Sequence, residues 1–186
     1  MLYSVMGPQG TGKTSLLNEL KRHGYPAVER KTSRSILADW NVTLSEVNNN
    51  FGLTIKFQEE IIKRKHEDEK PYIDSPDIWF TERTFIDAFV YTLINLGKDN
   101  EYSDWLDEYY ERCTALLDGY KHIFFLQRSF QIVGDGVRGT NSHYVNNVDM
   151  LMNYYANQLS KDKVTFIDTA NVYHRVDIIL SQIENS

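Results

Sequence analysis

A glycine-rich segment near the amino end restricts the possible folds of this chain more than any other feature. Residues 7–14 read Gly-Pro-Gln-Gly-Thr-Gly-Lys-Thr, between a short apolar run at 2–6 and a helical pattern that begins at Thr14. The segment fits G-x-x-x-x-G-K-[ST], in which glycines let backbone N–H groups turn inward around a phosphate at a helix N-terminus. It therefore predicts a nucleoside triphosphate site at the end of a first strand.

The residue types of this phosphate loop predict a role for each position. Lys13 is expected to reach the β and γ phosphates and the Thr14 hydroxyl to bind Mg²⁺, so ATP and Mg²⁺ are the predicted cofactors. The residues predicted to contact the nucleotide are Gly7, Gln9, Gly10, Thr11, Gly12, Lys13, Thr14 and Ser15.

Five short apolar runs alternate with helical patterns along the 186 residues. The runs at 2–6, 25–28, 78–81, 122–126 and 164–167 predict five strands. Strands that alternate with helices form a parallel sheet covered on both faces. We therefore expect a single domain over 1–186, a three-layer α/β sandwich of the P-loop NTPase type. A helix predicted over 54–69 ends in a charged stretch, which is typical of a solvated face.

Composition limits the function classes. The chain has 20 Lys and Arg against 26 Asp and Glu, a net charge of -6, which argues against extensive sequence-independent binding to nucleic-acid phosphates. Its apolar runs are much shorter than the roughly 20 residues of a membrane span, so no membrane partner is expected. One cysteine, Cys113, and no signal-peptide pattern indicate a cytoplasmic protein in which Cys113 is a buried apolar residue.

Charged residues follow the second and third predicted strands, where ligands of such sheets bind. Glu29 follows the second strand, and Glu82 and Arg83 follow the third. A carboxylate beside a guanidinium at the end of a buried strand needs partners, and Mg²⁺ and phosphate oxygens would supply them. The alternatives are an exposed pair at a helix entry for Glu82 and Arg83, and an ordinary surface carboxylate for Glu29.

These residues resemble motifs of three groups of small kinases. Val28-Glu29-Arg30 and Thr81-Glu82-Arg83-Thr84 are similar to motifs of the deoxynucleoside kinases. Glu82-Arg83 with Asp87 and Tyr91 is similar to the thymidylate kinases, and 24–29 with 135–138 resembles the ribosylnicotinamide kinases. The resemblance implies that Glu29 is the acceptor-side base or hydroxyl anchor. It also implies that Glu82 is a Mg²⁺-side carboxylate and that Arg83 clamps a phosphate.

The segment at about 128–142 combines three glycines with charged residues, which is typical of a lid. Closure of such a loop over the triphosphate would exclude water and insert an arginine. Arg138 is the predicted lid arginine and a catalytic residue, and Arg128 is a second candidate that would lie near adenine. The alternative is a mobile surface loop whose arginines are incidental.

These observations predict a kinase that transfers the γ-phosphoryl group of ATP to a nucleoside or a nucleoside monophosphate. The predicted catalytic set is Lys13, Glu29, Arg83 and Arg138, with Thr14 and Glu82 at the metal. A kinase acting on a hydroxymethylated base in DNA is one alternative. An ATP-binding switch or a slow ATPase is another, from a different class. A homodimer is expected by analogy with small kinases.

Overall fold

A parallel β-sheet lies at the centre of the computed structural model, which describes residues 1–29, 33–128 and 141–185. The strands are β1 (Leu2–Met6), β2 (Trp79–Glu82), β3 (His122–Leu126) and β4 (Val164–Ile167), in the order β2-β1-β3-β4. All three pairings are parallel. The helices are α1 (Lys13–Arg22), α2 (Ser33–Trp40), α3 (Leu44–Asn48), α4 (Phe51–Ile73), α5 (Phe85–Leu96), α6 (Ser103–Ala115), α7 (Ser142–Gln158) and α8 (Val172–Glu184).

The second predicted strand, at 25–28, differs from the expectation. Ala27 forms a single parallel bridge with Phe80 of β2. Two backbone hydrogen bonds hold it: Val28 N donates to Phe80 O at 2.8 Å, and Phe80 N donates to Pro26 O at 2.9 Å. Since Pro26 has no N–H to donate, the pairing does not extend further back along the chain. The described residues thus contain four strands, with this bridge in the place of the fifth.

Alternate residues of the strands pack against opposite layers of helices. Leu2 and Met6 join Ile123 and Phe125 in one apolar cluster, with residues of α5, α6 and α7. Tyr3, Val5, Phe124 and Leu126 belong to the other cluster, with residues of α1 and α8. Since both faces of the central strands β1 and β3 are buried and helices pack on both, the predicted three-layer sandwich is confirmed.

Thr43 with Glu46 and Thr84 with Asp87 have the spacing that predicts a capping box, and each pair forms one at the start of a helix. The Thr43 side chain accepts from the Glu46 N–H, and the Glu46 carboxylate accepts from the Thr43 N–H, at the start of α3. Thr84 and Asp87 form the same reciprocal pair at the start of α5. The second box begins directly after Arg83, so it sets where the chain turns from β2 into α5.

The helical layers also hold Cys113, which is fully buried on α6. Burial raises the pKa of its thiol to about 12, in keeping with an apolar role. Within the described residues, none of the helices has both the length and the apolar character needed to cross a bilayer.

Candidate functional site

The phosphate loop joins β1 to α1 and has backbone conformations that favour glycine. Gly7, Gly10 and Gly12 have φ values of 143°, 79° and 83°. A Cβ on Gly7 would lie 2.6 Å from the carbonyl oxygen of Leu126, at the end of β3, so a side chain has no room there. The end of β3, which lies next to β1 in the sheet, therefore restricts the path of the loop.

Lys13 directs its ammonium group into this loop. Its Nζ donates to the carbonyl oxygens of Gly7 at 2.8 Å and Pro8 at 2.7 Å, and the residue is 4% exposed. The Thr11 hydroxyl donates to the same Pro8 oxygen at 2.9 Å. A positive charge is thus held inside the loop, where the motif places phosphate oxygens.

Thr14 and Glu82, the predicted metal residues, lie next to each other. The Thr14 hydroxyl donates a 2.9 Å hydrogen bond to Oε2 of Glu82. This contact follows from the direct pairing of β1 with β2, in which Val5 is opposite Glu82. A hydroxyl and one carboxylate fit Mg²⁺, which keeps several waters and binds few protein oxygens. The described residues contain no group of three His, Cys, Asp or Glu suited to a metal held by protein alone.

Arg83, directly after β2, has a left-handed backbone with a φ of 69°. Its N–H donates to Val5 O at 2.8 Å, and its carbonyl accepts from Ser4 Oγ at 2.8 Å. The guanidinium lies 5.4 Å from the centre of the Tyr91 ring, and one of its nitrogens is 3.7 Å from Oδ1 of Asp87. Burial lowers the pKa of Arg83, but Tyr91 and Asp87 outweigh this and raise it, so the side chain remains cationic.

A buried ion pair on α4 supports Arg83, and the sequence did not reveal it. Lys65 donates to Oε1 of Glu69 and, at 2.8 Å, to the carbonyl oxygen of Arg83. Glu69 also accepts from the hydroxyls of Thr81 and Tyr120. The prediction that this end of α4 is a solvated face is wrong for Lys65 and Glu69, which are 3% and 1% exposed. Their spacing of four residues was the available signal, but it is equally common on surfaces.

Arg175 of α8 is a second charged residue that the sequence did not single out. It is 1% exposed, and burial lowers the pKa of its guanidinium. Its Nε donates to Thr169 O at 2.6 Å, and a terminal nitrogen donates to Thr11 O in the phosphate loop. Only its position beside the apolar Val176 and Ile179 hinted at burial.

The remaining predicted residues have various surroundings. Glu29 is exposed. Ala27 pairs with Phe80, and Glu29 and Glu82 each lie two residues after their member of this pair. Ser15 is exposed in the first turn of α1. Arg128 donates to Oδ1 of Asn146 at 2.8 Å and lies 3.4 Å from Oδ2 of Asp149, so α7 holds it. Arg138 and most of the proposed lid lie outside the described residues.

The comparisons with known proteins place the chain in a family. A family model described as an AAA domain matches residues 2–153, which are most of the chain. The chain belongs to this AAA domain family. A comparison with curated protein sequences finds no match.

Solved structures show that this AAA domain chain has the fold of small P-loop kinases. Deoxyadenosine kinase from M. mycoides with bound dATP has a TM-score of 0.72 at 15% identity, with 100% of both chains covered. The NadR protein in complex with NR also has a TM-score of 0.72, at 18% identity. That match covers 97% of this chain but 49% of NadR, so the chain spans about half of that protein. Shikimate kinase from Aquifex aeolicus vf5 has a TM-score of 0.56 at 12% identity, with 99% and 96% covered.

Proposed function

We propose that this protein is an ATP-dependent kinase that transfers the γ-phosphoryl group to a nucleoside or a nucleoside monophosphate. The observation that carries the proposal is the 2.9 Å contact between Thr14 and Glu82, beside a phosphate loop that holds Lys13. A buried ammonium, a hydroxyl and a carboxylate thus meet where a Mg²⁺-bound triphosphate would lie. The kinase folds of the structural neighbours support the same conclusion.

Phosphoryl transfer depends mainly on alignment and on neutralising charge, and the residues of this site suit both tasks. Mg²⁺, when bound at Thr14 and Glu82, would neutralise phosphate oxygens. Lys13 would exchange its bonds to the Gly7 and Pro8 carbonyls for bonds to the phosphates. The Arg83 guanidinium would hold the transferred group or the acceptor.

Glu29 is the proposed acceptor-side residue, because it is exposed and ends the edge bridge next to the strand that carries Glu82. Its carboxylate would accept a hydrogen bond from the acceptor hydroxyl and orient it for attack. Replacement by glutamine should then depress transfer much more than ATP affinity. Equal losses in both would assign Glu29 to nucleotide binding or to stability.

The test is incubation with γ-labelled ATP and Mg²⁺ against a panel of acceptors. The panel holds nucleosides, nucleoside monophosphates, ribosylnicotinamide, shikimate and DNA with hydroxymethylated bases. We expect label on a nucleoside or monophosphate and its loss in Lys13→Met. Lys21→Met is the control, since Lys21 is an exposed lysine at the end of the same helix. A fully active Lys13→Met protein would overturn the proposal.

A slow ATPase or ATP-dependent switch is the second candidate, because membership in the AAA domain family favours it. It would release labelled phosphate with no labelled acceptor anywhere in the panel. Transfer to the modified DNA would instead support the DNA-kinase alternative, which the net charge of -6 disfavours. Cytoplasmic location and a homodimer stay predictions.

A further inference from the structure

Arg175 connects the last helix of the chain to the phosphate loop at the other end of the sequence. The end of β4 leads through Thr169 to Asn171, whose side chain caps α8. From the first turn of α8 the guanidinium donates to two backbone carbonyls, that of Thr169 at 2.6 Å and that of Thr11 at 2.5 Å. The two acceptors are far apart in sequence, so one planar group fixes their relative position.

The contact at Thr11 also sets the direction of the neighbouring peptide group. In a trans peptide the C=O of one residue and the N–H of the next point in opposite directions. Because the Thr11 carbonyl faces the Arg175 guanidinium, the Gly12 N–H points away from that guanidinium. In loops of this type, backbone N–H groups that point into the loop bind phosphate.

Glycine at position 12 suits both the backbone of the loop and the close approach of Arg175. Gly12 has a φ of 83°, which other residues rarely adopt. A Cβ there would lie 3.1 Å from the guanidinium nitrogen that bonds Thr11, so a side chain would crowd Arg175. The loop sequence and the arginine on α8 are thus matched to each other.

We propose that Arg175 is a positioning residue for the phosphate loop. It holds the Thr11–Gly12 peptide with its N–H toward the nucleotide and places a positive charge behind the loop. The inference rests on the proposed nucleotide site, and it adds that affinity for the phosphate tail depends on a residue that does not itself touch the nucleotide. A purely structural arginine would instead affect stability and leave the nucleotide affinity of the folded protein unchanged.

Calorimetric titration with ATP, ADP and adenosine in the presence of Mg²⁺ tests this. Loss of a charge-assisted hydrogen bond that orients the loop should weaken ATP and ADP binding roughly 10- to 100-fold in Arg175→Met. Any affinity for adenosine should not change. Arg22→Met is the matched control, because Arg22 is an exposed arginine on α1 that pairs with Glu19. Its ATP affinity should equal that of the wild-type protein.

A second measurement needs no nucleotide and guards against misfolding of the methionine variant. Arg175→Lys keeps the charge but cannot bond both carbonyls with a planar fork, so it should fold and lose only part of the affinity. The amide resonance of Gly12 in a ¹⁵N-labelled protein should shift in Arg175→Lys and not in Arg22→Met. Wild-type ATP affinity in folded Arg175→Lys and Arg175→Met, with an unmoved Gly12 resonance, would overturn the inference. Failure of the wild-type protein to bind ATP would instead overturn the proposed function.

Discussion

Lys65 and Glu69 form an ion pair inside the protein, one turn apart on α4. Lys65 reaches the Arg83 carbonyl, and Glu69 accepts from the Thr81 hydroxyl, so the pair contacts both sides of Glu82 in the chain. The Lys65 ammonium also lies 5.3 Å from the centre of the Phe85 ring, at the start of α5. The backbone that presents Glu82 and Arg83 therefore depends on α4.

Glu69→Gln should strongly destabilise the protein. The variant removes the carboxylate that pairs with the buried Lys65 ammonium, and breaking a buried pair in this way costs about 3–5 kcal/mol. Urea unfolding followed by circular dichroism measures the loss. The control is Arg112→Gln, which breaks a more exposed pair with Glu59 and should cost at most about 1 kcal/mol. Equal small losses in both variants would show that Lys65 does not need the carboxylate.

The positive φ of Arg83 predicts an unusual order of stability between alanine and glycine. A left-handed conformation costs a non-glycine residue about 1–2 kcal/mol, and the freedom of glycine in the unfolded chain offsets part of that. We expect Arg83→Gly to be more stable than Arg83→Ala by about 1 kcal/mol, with phosphoryl transfer lost in both. At Arg112, inside helix α6, the order should reverse by about the same amount. The free energies of unfolding of the four variants test this prediction. A higher unfolding free energy for Arg83→Ala than for Arg83→Gly would show that the left-handed backbone at position 83 is not strained.

Thr14 and Glu82 predict a dependence on Mg²⁺ concentration. Thr14→Val removes the hydroxyl at nearly constant volume, whereas Thr14→Ser keeps it. We expect the valine variant to need roughly 10-fold or more additional Mg²⁺ for half-maximal transfer, and the serine variant to behave like the wild-type protein. Transfer rates across a Mg²⁺ titration measure this. An unchanged Mg²⁺ requirement in Thr14→Val would place the metal elsewhere.

Local sequence patterns predicted the parts of the fold that depend on local chemistry. Apolar runs located β1, β3 and β4, and the spacing of Thr84 and Asp87 located the start of α5. The strand predicted at 25–28 forms only one bridge to β2. A longer pairing would need a backbone N–H at position 26, which proline lacks. The pattern in the phosphate loop predicted Lys13 and Thr14 at the nucleotide, and the position of Glu82 after the third predicted strand predicted it on the metal side.

Tertiary contacts determined what the sequence did not reveal. Lys65 and Glu69 have the spacing of an ordinary surface pair, and only the packing of α4 under the end of β2 buries them. Arg175 lies 164 residues from Thr11, so no local pattern connects them. Trp40 of α2 and Phe57 of α4 likewise meet through packing, edge to face at 6.1 Å in a cluster with Ile36.

His122 predicts how stability changes with pH. It is 5% exposed on β3, and its Nε2 lies 2.9 Å from the Thr165 hydroxyl. Burial lowers its pKa from 6.5, and this outweighs the opposite effect of a hydrogen bond with the Asp162 backbone. The neutral ring is thus favoured in the folded state, and the unfolded chain binds the proton more readily.

The contribution of His122 to stability is complete above about pH 6.5 and is lost as the pH falls toward the lower pKa of the folded state. Unfolding free energies at about pH 7.5 and about pH 5.5 should therefore differ more for the wild-type protein than for His122→Asn. Replacement of the exposed His174 by asparagine should leave the wild-type difference unchanged, and the same difference in all three proteins would rule out His122 as its source.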